Sequence, residues 1–350
     1  MLRRHVSKAL GYEHLIRVPI NGPHRLKSTS SRTQKSETRT QKTQTKTSPA
    51  AAPTTESWLT RKIETSPSAR FWFERLTTLL GYNSPKQIAG RRALVLYDSL
   101  CVGTAGANQD FWRHKCDLPP TFQSWFTITH LHVWMLTVRL RALPPPHGKY
   151  YVQFVLDHFF LDIEDRIRAI LQPSVPPRAP YTTPSTFYVN PNLPPEGETL
   201  KRGSRAPERL VTRQLKVFRE QWMGMGMSFD LGLVKSDAEL AAAVWRNLLG
   251  ARGARGIDYS VGSFRRAVNL VGGNVEDPEK VDFEKEEVRD DGSGVHDYGP
   301  GEVDKYVMYP ELMEELVTYI RRELVRLEGI SDSEIMDGYI SAVMKFGSLR

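Results

Sequence analysis

The stretch "TFQSWFTITHLHVWMLTVRLRAL", residues 121–143, is the most apolar segment of this 350-residue chain. It reads as a membrane span, a metal-binding helix or the central helix of a helical domain. From Phe122 to Val138 it holds 17 residues, seven of them polar: Gln123, Ser124, Thr127, Thr129, His130, His132 and Thr137. A bilayer span takes about 20 predominantly apolar residues, and each of these polar groups would need a partner in hydrocarbon. His130 and His132 are two apart, so on a helix they point about 200° away from each other and do not share an ion. The later "DHFFLDIED" supplies Asp157, His158, Asp162, Glu164 and Asp165, without the matching ExxH of a bundle metal site. Around a helical wheel, Phe122, Phe126, Val133 and Leu140 share one face, Leu131, Met135 and Val138 a second, Trp125 and Leu136 a third. A helix apolar all round lies inside a protein. Its histidines are expected as hydrogen-bonded core residues or as lining of a contact surface.

Working outward, helical periodicity recurs. "SPSARFWFERLTTLLG" predicts a helix over 68–80 with Gly81 as its stop. Ser84 and Pro85 are a cap and a first helical position for "NSPKQIAGRRALVLYDSL". "NQDFWRHKCDL" predicts a short helix closed by Pro119 and Pro120, and Thr121 then caps the opening stretch. After "PPPHG", a helix runs to about Leu171 with Tyr151, Val155, Phe159 and Ile163 in register, joined by so short a break that the two helices should pack antiparallel. Nine prolines within 172–207 exclude a continuous helix and predict a long surface loop or tether. Helix returns at "PERLVTRQLKVFREQWMGMGMSFD", then at "SDAELAAAVWRNLLG", where Ser236 and Glu239 form a capping box and Gly250 is the stop. Residues 276–304 carry twelve acids against Lys280, Lys285 and Arg289, which predicts a solvated acidic insertion within 251–305. Pro310 opens a final amphipathic helix. No strand signal of any strength appears. The expected fold is all-α, a single helical-bundle domain over 58–350 with long irregular insertions.

The net charge of +8 is concentrated at one end. Residues 1–50 hold eleven Lys or Arg against Glu13 and Glu37. Leu2, Val6, Ala9 and Leu10 share a face away from Arg3, Arg4 and Lys8, and a Ser-, Thr- and Lys-rich linker follows. This is the character of a disordered mitochondrial presequence, read here over residues 1–57. The remaining chain is close to neutral, so overall charge gives no case for DNA binding. Cys101 and Cys116 lack metal-binding spacing and suit a reduced compartment. GxSxG, P-loop, GxGxxG and HExxH motifs are all missing, and no catalytic, metal or cofactor residue is assigned. Lys201, Arg202, Arg205, Arg209, Arg213 and Lys216 form a basic stripe that meets RNA phosphates, as on a ribosome, or anionic lipid, or else is an ordinary solvated face. Met223, Met225 and Met227 read either as an adaptable apolar contact surface or as a flexible helix end.

From Phe111 onward, "FWRHKCDLPPTFQSWFTITHLHVWMLTVRLRAL" closely resembles the ubiquinol–cytochrome c chaperone family. "GKYYVQFVLDHFFLDIEDRIR" and "SDAELAAAVWRNLL" continue the resemblance, which covers about half of the chain. The family strings are carried here by Ser124, Trp125, Phe126, His132 and Trp134 and by Asp237, Trp245 and Arg246, all expected to pack rather than react. The resemblance implies a non-enzymatic assembly factor on the matrix side of the mitochondrial inner membrane. It implies binding of newly made cytochrome b, a small helical co-chaperone, and a place near the exit tunnel of the mitochondrial ribosome. It also implies support for cytochrome b synthesis and for its entry into ubiquinol–cytochrome c reductase, complex III, with peripheral membrane association and no cofactor. The competing classes are a helical haem or di-iron enzyme and a peripheral inner-membrane scaffold.

Overall fold

The computed structural model describes residues 65–79, 81, 84–171, 180–190, 208–254, 295–337 and 344–349. The expected presequence, Lys201, Arg202, Arg205 and most of the acidic stretch lie outside these residues. The described elements are helices and irregular connections, without a strand among them. Two compact units divide the chain, Met1–Asn83 and Ser84–Arg350. The first contributes helix α1 (Pro67–Leu79).

In the second unit, α2 (Pro85–Tyr97) starts as its sequence dictates: Pro85 occupies the first turn and the Ser84 hydroxyl accepts from the Gln87 N–H at 3.4 Å. The region after it departs from the simple short helix expected. A π-turn (Asp98–Val102), a single α-turn named α3 (Thr104–Ala107) and a second π-turn (Phe111–Lys115) follow. The wider turn, closed by Cys116 N–H to Phe111 C=O at 3.0 Å, accommodates the adjacent Phe111 and Trp112, both buried and edge-to-face at 5.2 Å.

Helix α4 (Phe122–Arg141) is the axis of the unit. Thr121 caps it, and 17 of its 20 residues are buried, as an all-round apolar wheel requires. Helix α5 (His147–Leu171) runs antiparallel to it. A Cβ on Gly148 would sit 2.8 Å from the Leu140 carbonyl, Phe159 stacks on Phe126 at 5.7 Å, and Arg166 lies 4.1 Å over Trp125. Helix α6 (Glu208–Lys235) runs alongside α4 in the same direction, with Phe218 against Phe122 and Phe126, Trp222 against His130, and Phe229 against Trp134. It runs through Gly224 and Gly226 and continues to Lys235, past the end at Asp230 that the sequence predicts. At Gly232 a Cβ would meet the Leu240 Cα at 2.6 Å, so only glycine admits the turn into α7 (Asp237–Asn247), capped by Ser236. A 3₁₀ stretch (Pro300–Met308) leads into α8 (Tyr309–Glu328), which covers another side of α4, and α9 (Asp332–Asp337) follows.

Two irregular connections carry buried anchor residues that their compositions do not announce. Residues 180–190 are irregular, yet Phe187 is fully buried and Thr182 nearly so. The strap closes over a buried ion pair: Arg166 Nε donates to Asp162 at 3.0 Å, and its terminal nitrogen donates to the Thr182 hydroxyl and the Thr183 carbonyl. Thr182 and Tyr97 hydroxyls also donate to Asp162, at 2.7 and 2.6 Å. A buried carboxylate and guanidinium need this many partners to offset desolvation, and the strap provides them. Likewise Arg252 is buried, donating to the Cys116 and Asp117 carbonyls and the His296 carbonyl while lying 4.6 Å over Tyr298. It ties both described edges of the acidic segment to the bundle.

Candidate protein-binding surface

Local sequence fixes the family-string residues on α4 and α7, and the packing fixes their roles. Ser124 is buried with its hydroxyl 3.2 Å from that of Thr121, inside the cap of α4. Trp125 lies between Phe122, stacked at 5.6 Å, and the Arg166 guanidinium. Phe126 joins Phe159 and Phe218. Trp134 donates to Asp230 of α6 at 2.9 Å, and the same carboxylate takes both terminal nitrogens of Arg141 at 3.0 and 2.9 Å. Asp237 accepts from Arg321 at 2.9 Å and joins α7 to α8, while Trp245 donates to the Arg252 carbonyl at 3.0 Å. Arg246 reaches Ser228 of α6 at 3.3 Å.

The two histidines of α4 diverge. His132 holds Nδ1 2.7 Å from the Ile128 carbonyl and Nε2 2.9 Å from the Tyr319 hydroxyl, so Nδ1–H donates and Nε2 accepts. Burial lowers its pKa to about 4 against the opposing pull of the Ile128 carbonyl, and the ring is neutral. His130 is the exception to the hydrogen-bonded expectation. It stacks on Trp222 at 4.2 Å, and neither ring nitrogen has a hydrogen-bond partner among the described residues. Burial alone lowers its pKa to about 3. Stacking holds this ring where hydrogen bonds do not.

Every one of these groups faces inward or joins helices, which leaves the outward faces for recognition. Among the described residues no group of three or more His, Cys, Asp or Glu stands close enough to hold a metal ion, and no helix is long and apolar enough to cross a membrane. Cys101 and Cys116 are free and buried, with burial pushing both thiols well above the ordinary range.

The outward face of α6 stands apart. Met223, Met227, Leu231 and Val234 recur at four, four and three residues, and all are exposed, Met227 at 64% and Val234 at 56%. Met225 is buried instead, because residues two apart on a helix face opposite ways. The methionine ladder therefore splits between core and surface. On the N-terminal half of the same face lie Arg209, exposed, and Lys216, whose ammonium is 3.9 Å from Glu220; Arg213 is half-buried beside them. Arg219 lies 5.4 Å over the Phe160 ring. The surface is thus basic over its first turns and apolar over its last. Leu231 and Val234 are legible in the four- and three-residue spacing once the helix is known to continue to Lys235. The Tyr97–Asp162–Arg166–Thr182 cluster carries no such signal, since its members are up to 85 positions apart in the chain.

Residues 114–176 and 202–273 match the model of the family described as ubiquinol-cytochrome C chaperone. The chain is 36% identical over 142 residues to Protein CBP3, mitochondrial, of Saccharomyces cerevisiae, covering 41% of this chain and 33% of that protein. It is 31% identical over 157 residues to ubiquinol-cytochrome-c reductase complex assembly factor 1 of Xenopus laevis, covering 45% of this chain and 60% of that one. The Homo sapiens protein of that name is 25% identical over 178 residues, 50% of this chain and 47% of its own. The matched region therefore spans between a third and three fifths of these relatives. No solved structure matches the chain. The strap 180–190 falls in the gap between the two family-matched segments.

Proposed function

We propose that this protein, which carries a ubiquinol–cytochrome c chaperone region, is an assembly chaperone for ubiquinol–cytochrome c reductase, respiratory complex III. It binds newly synthesised cytochrome b, stabilises it and supports its synthesis and incorporation. The family match over both helical segments is the observation that carries this reading. The exposed apolar stripe of α6 supports it physically: a chaperone covers apolar client surface until the client's own partners do so, and it needs no turnover chemistry. A flexible methionine surface suits a client that has not finished folding.

The protein acts in the mitochondrion, on the matrix side of the inner membrane, with a small helical co-chaperone and near the exit of the mitochondrial ribosome. The basic half of α6 is the face offered to ribosomal RNA, and Arg209→Glu combined with Arg213→Glu releases the protein from ribosomes in salt-sensitive fashion. Unchanged co-sedimentation removes that contact from the scheme. Association with the inner membrane is peripheral.

The test of the whole reading is a reduced-minus-oxidised absorption spectrum of mitochondria from cells lacking the protein. Loss of the cytochrome b band, with a- and c-type bands retained, is the expected result. Persistence of all the bands overturns it and favours the haem or di-iron enzyme or the scaffold.

A further inference from the structure

Helix α1 exposes three consecutive aromatic side chains and two leucines. Phe71, Trp72, Phe73, Leu76 and Leu79 are all exposed, Trp72 at 67% and Leu79 at 84%. Their directions distinguish two kinds of partner. At 100° per residue, Leu79, Trp72, Leu76 and Phe73 fill an arc of about 120°, and Phe71 stands about 80° beyond it with Arg75 between. A protein groove covers a stripe, and three consecutive aromatic rings do not all enter one groove. A bilayer interface takes up half a helix circumference at once, and Trp and Phe are side chains suited to headgroup depth.

The charges fit the same picture. Arg75 and Arg70 fall on the two borders of the apolar arc, where long side chains extend toward headgroups. The Arg75 guanidinium lies 5.2 Å from the centre of the Phe71 ring and shields the one aromatic that points away from the arc. Against these two arginines α1 has a single acid, Glu74, so the helix is net positive. At 13 residues it is too short to span a bilayer, which takes about 20.

We propose that α1 is an interfacial anchor that lies in the headgroup layer of an anionic phospholipid bilayer, Trp72 and Leu76 inward and Arg70 and Arg75 at its edges. This deepens the peripheral association proposed above and rests on it. It assigns that association to α1, not to the basic face of α6.

The test is flotation of the full chain with vesicles of phosphatidylcholine alone or mixed with phosphatidylglycerol, at low and high salt. The chain is expected to float with the anionic vesicles and to keep a salt-resistant share of that binding. Trp72→Glu with Leu76→Glu lowers the affinity behind that share by about a hundredfold or more, the order expected for withdrawing two large apolar side chains from the interface. Trp72→Phe still floats but loses the vesicle-induced blue shift of tryptophan emission, and Met227→Glu floats as the parent does. The proposal is overturned if the double substitution floats unchanged, if high salt abolishes all binding, if neutral vesicles bind equally well, or if α1 instead retains a protein partner that the double substitution releases. Circular dichroism establishes that each variant is folded. A chain that fails to float, in cells whose cytochrome b band still depends on it, removes the anchor and leaves the chaperone reading standing.

Discussion

Helices α4 and α6 lie side by side and both carry aromatic and methionine residues, yet one is enclosed on every side and the other only on one. Helix α4 meets α5, α6 and α8 around its circumference, so any partner of its polar residues lies inside, as Tyr319 does for His132. Helix α6 turns Phe218, Trp222, Met225 and Phe229 inward and Met223, Met227, Leu231 and Val234 outward. The difference teaches that an apolar residue's meaning depends on its neighbours. On α4 it is stability; on the outer side of α6 it is surface left for something else.

The contrast predicts a graded set of effects. The largest are at the enclosed side. Asp162→Ala strands the Arg166 guanidinium and costs about 3–5 kcal/mol. Phe187→Ala empties the strap's anchor and costs about 3–5 kcal/mol. Chemical denaturation checks both, and a small loss at Phe187 would mean that the strap merely rests on the bundle. Next come the two histidines. His132→Phe orphans the Tyr319 hydroxyl and lowers stability by about 1–3 kcal/mol, whereas His130→Phe removes an imidazole without hydrogen-bond partners and leaves stability unchanged or raises it by about 1 kcal/mol. Equal losses would break the distinction between a ring held by hydrogen bonds and one held by stacking.

Both histidines also set a pH dependence. Their folded pKa values are depressed, to about 4 and about 3, so the unfolded chain binds more protons below its own histidine pKa of about 6.5. Their contribution is complete above that value and is lost progressively as pH falls toward 4 and below. A melting-temperature series across this range, run beside His132→Phe, should show the variant less sensitive. The smallest effect is on the open side. Met227→Glu with Leu231→Glu changes stability by no more than about 0.5 kcal/mol per site, while under the function proposed above it abolishes capture of the client. A large loss of stability there would mean the stripe is core after all.

Much of this was legible in the chain. The caps at Ser84, Thr121 and Ser236 sit where short polar residues precede periodic runs, because the signal and its cause are both local. The α4 wheel forecast enclosure, because nothing else accommodates an apolar surface on every side of so polar-studded a helix. The methionine ladder was half legible: two-residue spacing guarantees opposite faces, but which face is inward depends on the neighbour. The end of α6 falls at Lys235 rather than Asp230, because Gly232 lets the helix run on in close contact with Leu240, a long-range packing that its own spacing does not announce. The prolines exclude regular structure over 180–190 but say nothing about burial, so Phe187 was not legible as an anchor.

By itself, then, the sequence determined the helical class, the starts of the helices, the enclosed character of residues 122–140 and the family strings, all of which follow from spacings of a few residues. Only the tertiary structure decided that Phe187 enters the core, that Asp162 and Arg166 share a buried site with Tyr97 and Thr182, that His132 is bonded where His130 is stacked, and which side of α6 stays open. Those outcomes depend on groups brought together from distant parts of the chain, and pair energies of that kind leave no period in the sequence to read.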